Sequence, residues 1–442
     1  MKGKRIVHYL IGITAFLLVS AIVYSILRDD DPYQYFTGIG DSFDISPDDK
    51  EYMFPYFLNG NEAIYSANID GTNVKKLTNP QKERHLQPRY SQDGLRILFL
   101  SQNDKRINSL VVANRDGTGQ KKWTSNKMHV REAVFSPNNY LIFYIGMPAE
   151  DFLKAEGETS EGYDLYSINL RNGKMDQLTD HNEFDMDSLS VSANGKEVFY
   201  SIFAADRKKL IAYSIVTGDE HAAIGSENLS TESYSFQISP DASQALFTTI
   251  SEESRKSHLF KYELFLKDMK SGKVKRLTHL NSHVSSPRFF HHSNQITLLD
   301  NDNWASEPAT YKFYHVDLET NKLQPISFHL PEKKVMGLMV LKWIDEMVNS
   351  STVTGLYILL MMLFTIQLHF YSLKDRTYLP GIISICLTIL TFISSIFVTI
   401  ITKDPWAGMA IGMITAVLFG STIFILFFAL LLNLLGKRRW AS

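Results

Sequence analysis

Short apolar runs alternate with turn-forming residues along most of the chain, and the clearest copy of this pattern is residues 89–124. Two apolar runs, 95–100 and 110–113, each follow a polar turn, and a short third run ends at Trp123-Thr124. Runs of this length between Gly, Pro, Asn and Asp are typical of antiparallel strands joined by tight turns. The pattern therefore predicts a compact unit of short antiparallel strands.

This unit occurs about six times. The copies begin at Ser46-Pro-Asp-Asp, Ser91-Gln-Asp-Gly, Ser136-Pro-Asn-Asn, Ser192-Ala-Asn-Gly, Ser239-Pro-Asp-Ala and a degenerate His291-His-Ser-Asn. Their spacings are 45, 45, 56, 47 and 52 residues, and the long step contains a polar insertion at 149–162. A period of about 40 to 50 residues is a signature of propeller blades. Residues 41–328 are therefore predicted to form an all-β, six-bladed β-propeller.

Each copy also has a second turn and most have a closing threonine. The second turns are Asp70-Gly, Asp116-Gly, Asn172-Gly, Thr217-Gly, Ser271-Gly and Thr320-Asn, and the closing pairs are Leu77-Thr78, Trp123-Thr124, Leu178-Thr179 and Leu277-Thr278. Glycine in such turns supplies a positive φ. We expect Gly94 and Gly117 to have positive φ, so that Val there destabilises the fold, whereas Gly157→Val in the insertion is expected to be near neutral.

Long apolar segments lie at both ends of the chain. They are residues 6–27, 353–371, 379–401 and 406–435, and about 20 apolar residues cross a bilayer. The predicted domains are an N-terminal transmembrane signal anchor (1–28), a tether (29–40), the propeller (41–328), a juxtamembrane connector (329–351) and three transmembrane helices with a tail (352–442). A signal peptide cleaved near Ser20 and Ala21 is the alternative for the first segment.

The connector contains apolar residues at helical intervals around Trp343. Two interpretations stay open: a helix lying on the bilayer, or a helix packed under the propeller. Tyr33, Tyr35 and Phe36 of the tether are of the kind found at a membrane interface.

The basic residues predict the orientation in the membrane. Eight of them flank the apolar segments at 1–5, 372–377 and 436–442, namely Lys2, Lys4, Arg5, Lys374, Arg376, Lys437, Arg438 and Arg439. Cytoplasmic loops are enriched in Lys and Arg. We therefore expect a multi-pass cell-membrane protein with both termini in the cytoplasm and an extracytoplasmic propeller.

Composition excludes several classes of function. The formal charge of −2 and the absence of a basic cluster in residues 41–328 argue against a nucleic-acid partner. Cys386 is the only cysteine and lies in an apolar segment, so the propeller region has no disulfide, cysteine zinc site or thiol nucleophile. The sequence also lacks a Gly-x-Ser-x-Gly elbow, a His-Glu-x-x-His pair and a Walker A loop.

The Ser-Pro-Asp-Gly corner, the Asp-Gly turn and the closing Leu-Thr resemble the repeats of TolB-type β-propellers. They are also similar to the propeller domains of the dipeptidyl peptidase IV and prolyl oligopeptidase class. The resemblance covers residues 41–328 and implies a fold, because such propellers have many functions. TolB has an α/β domain before its propeller and the peptidases have a hydrolase domain after it; here membrane segments take both places.

Five groups of residues are candidate sites. His279, His283, His291 and His292 could be metal ligands, as could Asp180, Glu183, Asp185 and Asp187 or the Asp300-Asn-Asp-Asn run, but turn and surface residues explain all three groups better. Gly408, Gly412, Ala416 and Gly420 have the spacing that allows close helix packing. His369 and Gln367 are predicted to lie in the headgroup zone. We assign no catalytic, cofactor or metal residue and no cofactor.

Three functions remain open. The first is a binding, sensing or scaffold module for a protein or other envelope component; the second is a propeller-based hydrolase or lyase with a metal or carboxylate site at the channel mouth; the third is an accessory subunit of a membrane complex. Polar side chains converging on the channel would favour the enzyme, and an apolar face with a polar rim would favour binding. The charged insertion, with Glu150, Asp151, Lys154, Glu156, Glu158 and Glu161, is either a contact surface or an idle loop.

Overall fold

The structure is a computed structural model that describes residues 2–28, 31–155, 157–204, 207–223, 226, 232–239, 241–332, 335–372 and 374–438. It divides into two compact units. The strand unit contains residues 31–333, and the helical unit contains the chain on either side of it. The helical unit begins with α1 (Lys2–Leu27).

The strand unit is built from antiparallel sheets that we divide into six repeats. Repeat 1 contains β1 (Gly38–Ile39), β2 (Asp44–Ile45), β3 (Glu51–Leu58), β4 (Asn61–Asn68) and β5 (Lys75–Lys76); repeat 2 contains β6 (Arg84–Tyr90), β7 (Arg96–Gln102), β8 (Asn108–Asn114) and β9 (Lys121–Lys122); repeat 3 contains β10 (Met128–Phe135), β11 (Leu141–Pro148), the short helix α2 (Ala149–Phe152), β12 (Asp164–Asn169) and β13 (Met175–Gln177).

The later repeats have the same order of strands. Repeat 4 contains β14 (Met186–Val191), β15 (Glu197–Ala204), β16 (Arg207–Ser214) and β17 (Glu220–Ala222); repeat 5 contains β18 (Ser233–Ile238), β19 (Gln244–Ile250), β20 (Tyr262–Asp268) and β21 (Val274–Arg276); repeat 6 contains β22 (His283–Phe289), β23 (Gln295–Asn301), β24 (Tyr311–Asp317) and β25 (Leu323–Ile326). Among the described strands, those of repeats 5 and 6 pair with each other only at one parallel bridge, Tyr262 with His283.

The first strands of repeats 2 to 6 (β6, β10, β14, β18 and β22) lie side by side in chain order. Repeat 6 then meets repeat 1, because the Tyr52 hydroxyl lies 2.8 Å from the Thr297 hydroxyl and Ser286 Oγ donates to the Asp41 carbonyl at 2.9 Å. We call this contact the seam. Within the described residues no strand of repeat 6 pairs with a strand of repeat 1. Aromatic rings in tilted and edge-to-face contacts fill the seam instead, namely Phe43, Tyr52, Phe54, Phe313 and Phe328.

The serine corners predicted from the sequence share one hydrogen-bond pattern. In each, the serine hydroxyl donates to the Asp or Asn two residues later and accepts from the backbone N–H five residues later; the serines are Ser46, Ser91, Ser136, Ser192 and Ser239. In repeat 6 the matching backbone bond runs from the Phe290 N–H to the Gln295 carbonyl. The sixth corner is thus at Phe290, one residue before the predicted His291.

The closing threonines stabilise the third strand of four repeats. Each buried hydroxyl accepts the backbone N–H of the residue fourteen positions earlier, at 2.8–3.0 Å: Ile64 to Thr78, Leu110 to Thr124, Leu165 to Thr179 and Leu264 to Thr278. A buried N–H without such an acceptor would cost about 1–3 kcal/mol. The repeated threonine therefore satisfies a backbone donor where the short fourth strand ends.

Gly117 is held in a tighter environment than Gly157, although both have positive φ, at 84° and 88°. A Cβ on Gly117 would lie 1.9 Å from the Leu77 carbonyl oxygen of the preceding repeat, whereas a Cβ on Gly157 would meet nothing within 4 Å. The expectation of positive φ at Gly94 and Gly117 is confirmed. The expectation that Gly157→Val is near neutral conflicts with its φ, because β-branched side chains are strained there.

We therefore predict a difference between two alanine substitutions. Gly157→Ala should cost about 1 kcal/mol from backbone strain alone, and Gly117→Ala about 2–4 kcal/mol because the clash is added. Thermal unfolding of the full chain in detergent measures both. Equal melting shifts for the two variants would contradict the packing described for Gly117.

The helical unit continues with α3 (Met336–Met347), α4 (Ser350–Tyr371), α5 (Leu379–Thr402) and α6 (Pro405–Arg438). Among the described residues, α1, α4, α6 and the segment that contains α5 are long and apolar enough to cross a membrane. The Tyr24 hydroxyl donates to Asp345 at 2.6 Å, and Arg28 donates to the Val348 carbonyl at 2.9 Å. These bonds fasten the end of α1 to the end of α3.

The small-residue spacing on α6 is only partly used. A Cβ on Gly408 would lie 1.7 Å from Thr399 Oγ1 of α5, and Ser395 Oγ donates to the Gly408 carbonyl at 2.8 Å. Gly412 lies near Ser395, but Gly420 has open space around it and Ala416 is exposed. Within this chain, Gly408 and Gly412 of the predicted packing stripe lie against α5, and packing through Ala416 and Gly420 stays a prediction.

The tether differs from its prediction. Gly38 and Ile39 form β1 against β3, and the rings of Tyr33 and Phe36 pack on Phe57 at 5.0 and 5.3 Å. Tyr33 and Phe36 therefore pack within the strand unit, against the Phe57 ring of β3. Asp29 and Asp30 lie outside the described residues.

Candidate functional site

A polar channel runs through the centre of the strand unit, lined by the first strand of every repeat. These strands bulge in repeats 2 to 6, where the pairing register shifts by one or more residues. At four of the bulges one residue has a positive φ of 49–61°: Gln87, Ser188, Ser235 and Ser286. Bulges redirect side chains and are frequent next to binding sites.

Residues at the same distance before the corner in each of the six repeats form two rings in the channel. The residues four positions before the corners form the hydroxyl ring, which consists of Ser42, Gln87, Glu132, Ser188, Ser235 and Ser286. The residues two positions before the corners form the arginine ring, which consists of Asp44, Arg89, Val134, Ser190, Gln237 and Arg288. Arg89, Leu189 and Arg288 border both cavities, of about 320 and 200 Å³, into which the channel is divided.

Side chains of the hydroxyl ring join neighbouring repeats. Glu132 of repeat 3 accepts the backbone N–H groups of Ser188 and Leu189 of repeat 4, at 3.1 and 2.8 Å. The Ser188 hydroxyl in turn accepts the Phe236 N–H of repeat 5 at 3.1 Å. In the arginine ring, Asp44 accepts the Tyr90 N–H of the next repeat at 2.8 Å. Carboxylates in the channel thus satisfy the bulged backbone of the following repeat.

Beside the hydroxyl ring, two acids and two bases form a balanced cluster. Arg131 lies 2.9 Å from Asp185 and 3.8 Å from Asp187, and Lys208 contacts both carboxylates, at 2.7 Å for Asp185. Burial acts to raise the pKa of Asp187, but the Lys208 ammonium and hydrogen bonds from Lys208, Ser201 and Ser188 outweigh it and lower that pKa. Asp187 is therefore a paired anion and not a proton donor near neutral pH.

The arginine ring has an excess of positive charge. Arg89 donates to two backbone carbonyls, those of Phe43 and Pro88, at 3.3 and 3.1 Å. Arg288 donates to the neutral Gln237 amide, and its Nε lies 4.0 Å from Asp44. Burial and the neighbouring Arg89 lower the pKa of Arg288 to about 9. Two guanidinium groups therefore have one carboxylate in their own ring, Asp44, while the charge of Glu132 in the hydroxyl ring also acts on Arg288.

The predicted histidine group does not converge on one point. His283 stacks on Trp304 with ring centroids 3.9 Å apart, and the His291 N–H donates to Asp49 at 2.8 Å, as does the His292 N–H at 2.7 Å. His279 instead lies near Glu253, whose pKa is lowered by a hydrogen bond from Arg276 and, to a smaller extent, by the charge of His279. Within the described residues, no group of three or more His, Cys, Asp or Glu side chains is arranged to hold a metal ion.

The acidic groups lie in separate places. Asp185 and Asp187 belong to the cluster with Arg131 and Lys208, while Asp180 lies 3.5 Å from the Gln177 amide and Glu183 pairs with Tyr163 through the backbone. In the second acidic run, Asp300 accepts from Ser282 and Asp302 contacts Lys312. Near the end of α4, Gln367 Nε2 lies 3.1 Å from His8 Nε2 and His369 Nδ1 lies 3.2 Å from the Thr377 hydroxyl.

The insertion is organised around the buried Asp151 of α2. Its carboxylate accepts from Lys154 at 2.8 Å, from the Ser160 N–H and hydroxyl at 2.9 and 3.0 Å, and from the Glu161 N–H at 3.4 Å. The bond from Lys154, followed by those from Ser160, lowers the pKa of Asp151. The loop borders a cavity of about 580 Å³ beside Phe152 and Phe184. Glu156 lies outside the described residues.

Several solved structures are similar to this chain. TolB from Acinetobacter baumannii is 14% identical with a TM-score of 0.48, and the match covers 68% of this chain and 65% of TolB. An oligogalacturonate lyase from Vibrio parahaemolyticus is 10% identical with a TM-score of 0.46, covering 68% and 81%. The β-propeller domain of the Trilobed protease from Pyrococcus furiosus is 15% identical with a TM-score of 0.40, covering 66% and 85%.

These neighbours are β-propeller proteins. The predicted resemblance to TolB-type propellers is confirmed as a resemblance of fold, and it specifies no activity. No protein-family model matches the chain, and no curated protein sequence matches it. Because the first strands of repeats 2 to 6 lie side by side in chain order and repeat 6 meets repeat 1 at the seam, we refer to the strand unit as the propeller from here on.

Sequence reasoning missed Arg89, Arg131, Glu132 and Arg288 as channel residues. Their signal was present, because each lies two to five residues before a corner. The bulges made these positions difficult to recognise from the sequence. An extra residue in a strand removes the simple alternation by which inward-facing positions are identified.

Proposed function

We propose that this protein is a membrane-anchored, six-bladed propeller that binds a component of the cell envelope through its channel mouth. The observation that carries this proposal is the use of the channel carboxylates: Glu132 and Asp44 accept backbone N–H groups of the next blade, and Asp187 is paired with Lys208. General acid–base chemistry needs a carboxyl group whose pKa lies near the working pH and which can exchange its proton. Glu132, Asp44 and Asp187 have structural partners instead. Asp41 also lines the larger cavity and burial raises its pKa, so it is the carboxyl group that the activity screen below tests.

A polar lining is the feature that we expected of an enzyme. Whether the channel catalyses or binds therefore depends on which of its polar groups already have hydrogen-bond or ionic partners. Hydroxyls and two incompletely paired guanidinium groups remain to face a ligand, and these groups bind and orient without breaking bonds. A propeller also provides a rigid frame, which lowers the entropic cost of presenting them. Binding is therefore the better-supported role.

The proposal predicts that residues 41–328 have no hydrolase activity of their own. A photo-crosslinking amino acid placed at Ser42 or Ser235 in the channel should form a discrete adduct with an envelope component in intact cells. The same amino acid at Lys75, on an outer strand, is the matched control. The purified protein is also screened against ester, lactone, glycan and peptide substrates with and without Ca²⁺, and robust turnover would overturn the binding role.

We further propose that both termini lie in the cytoplasm and the propeller outside. Support comes from the four apolar helical segments and from the basic residues that flank them, including Lys4, Arg5 and Lys374. A reporter fused after Trp440 and one inserted at Gly157 should report opposite compartments. The same compartment for both would contradict the topology.

A further inference from the structure

The arginine ring contains two guanidinium groups and one carboxylate, and Glu132 of the hydroxyl ring is a further carboxylate whose charge acts on Arg288. Going around it from blade 5 to blade 2, the residues are Gln237, Arg288, Asp44 and Arg89, while blades 3 and 4 contribute the uncharged Val134 and Ser190. The ring therefore carries two positive charges and one negative charge. Neighbouring Arg131 is different, because Asp185 and Asp187 balance it together with Lys208.

Asp44 does not satisfy both arginines. One of its oxygens already accepts the Tyr90 N–H at 2.8 Å, and the other is 4.0 Å from Arg288 Nε, which is longer than a hydrogen bond. Arg288 Nε is buried and has no hydrogen-bond partner among the described residues. A buried guanidinium N–H without an acceptor is costly, so its presence needs an explanation.

The two guanidinium groups also border open space on both sides. Arg89, Leu189 and Arg288 line the cavity of about 320 Å³ and the cavity of about 200 Å³, so a small group can reach them through the channel. Guanidinium groups present several donors in a fixed plane that suits the oxygens of a carboxylate or a phosphate. Oxygen acceptors placed between Arg89 and Arg288 would supply the missing partner of Nε.

We infer that the channel binds an oxyanion, a carboxylate or phosphate group, between Arg89 and Arg288 at the arginine ring. This deepens the proposed binding role by naming the chemical class of the ligand. The hydroxyl groups of the hydroxyl ring, among them those of Ser42 and Ser235, lie along the larger cavity. They would contact the neutral remainder of the same ligand. Asp44 competes with the ligand for Arg288.

The test uses the full chain in detergent, with thermal unfolding followed as inorganic phosphate or glutarate is added at an ionic strength held constant with chloride. The parent protein should show a saturable rise in melting temperature. Arg288→Gln and Arg89→Gln should each weaken the apparent affinity by about tenfold or more, since each loses charge-assisted hydrogen bonds. Arg171→Gln, at an exposed site, is the matched control and should not change it.

A second variant excludes misfolding as the cause. Asp44→Asn keeps an acceptor for the Tyr90 N–H but removes the competing charge, so it should strengthen anion binding. Because phosphate also stabilises folded proteins without binding, only the difference between variants and parent is decisive. A stronger effect of phosphate than of glutarate indicates a phosphate ligand, and the reverse indicates a carboxylate.

The inference is overturned if no saturable shift occurs, or if the shift is the same in Arg89→Gln, Arg288→Gln and the parent. These outcomes differ from failure of the proposed function. Turnover of an anionic substrate that depends on Arg288 would remove the purely binding role and leave the anion site in place. An envelope adduct at Ser42 without any anion effect would leave the binding role and remove the anion site.

Discussion

Lowering the pH from 7.5 to 5.0 is expected to weaken the propeller fold through three histidines that it keeps neutral. Burial lowers the pKa of His85, His129 and His283 to about 4, and each ring packs on an aromatic neighbour, namely Phe99, Phe152 and Trp304. In the unfolded chain a histidine has a pKa of about 6.5. The unfolded state therefore binds more protons than the folded state between about pH 6.5 and pH 4.

The direction of the change in stability with pH follows from this difference in bound protons. The stabilisation that the neutral histidines allow is fully present above pH 6.5 and is lost as the pH falls toward 4. Between pH 7.5 and 5.0 each histidine should lower the free energy of unfolding by about 2 kcal/mol, and the three together by roughly 6 kcal/mol. Because domains are stable by only about 5–15 kcal/mol, this is a large fraction of the total.

Replacement of one histidine measures its contribution to the pH dependence of the free energy of unfolding. His85 Nδ1 has no hydrogen-bond partner among the described residues, so His85→Phe keeps the ring contact and removes the titration. The loss of unfolding free energy between pH 7.5 and 5.0 should become about 2 kcal/mol smaller than in the parent. Urea unfolding at the two pH values measures it, and His258→Gln, at an exposed position, is the control.

Other groups act in the opposite sense, which is why the variant and the parent are compared. Burial, followed by the nearby Asp41, raises the pKa of Glu62 well above its usual range, so acidification relieves a cost at this residue. A hydrogen bond from His181 to Glu220 raises the pKa of His181, which also favours the folded state at low pH. Equal pH dependence in His85→Phe and the parent would contradict the proposed role of the buried ring.

Glu132→Ala is expected to destabilise the propeller by about 2–4 kcal/mol. The carboxylate accepts two backbone N–H groups from the bulge of the next blade, and hydrogen bonds to charged acceptors contribute about 1.5–3 kcal/mol each before water replaces part of the loss. Leu189 is buried, so its N–H has little access to water in the variant. Urea unfolding of the full chain in detergent measures the loss.

Two further variants test whether the loss of stability in Glu132→Ala comes from the contact between blades. Glu132→Gln keeps one acceptor oxygen and should lose about half as much stability as Glu132→Ala. Glu158→Ala, at an exposed position of the insertion, should change stability by less than about 0.5 kcal/mol. A loss in Glu158→Ala comparable to that in Glu132→Ala would show that net charge, and not the contact between blades, is responsible.

The repeats were predictable because they depend on local chemistry. Ser91, Asp93 and Gly94 specify a turn by hydrogen bonds within five residues, and this information is complete in the sequence. The channel was not predictable in the same way. Arg288 and Asp44 are 244 positions apart in the chain, and they meet only because the repeats form a ring.

The histidines illustrate the same limit. His283, His291 and His292 are close in sequence, which suggested shared ligands. His283 is on a strand and stacks on Trp304, whereas His291 and His292 follow the corner and bind Asp49 through their backbone. Spacing along the chain favoured turn and surface positions over a metal site, but it could not identify the partners of these histidines, because the direction of each side chain depends on the position of the corner.

The seam has a consequence for biosynthesis. Phe313 and Phe328, which complete it, are among the last propeller residues to leave the ribosome, and their partners Phe43 and Tyr52 are among the first. Until then the nascent blades form an open arc whose two end faces are apolar. Chaperones that protect this protein during its synthesis should therefore act on the first blade, which remains longest without its neighbour.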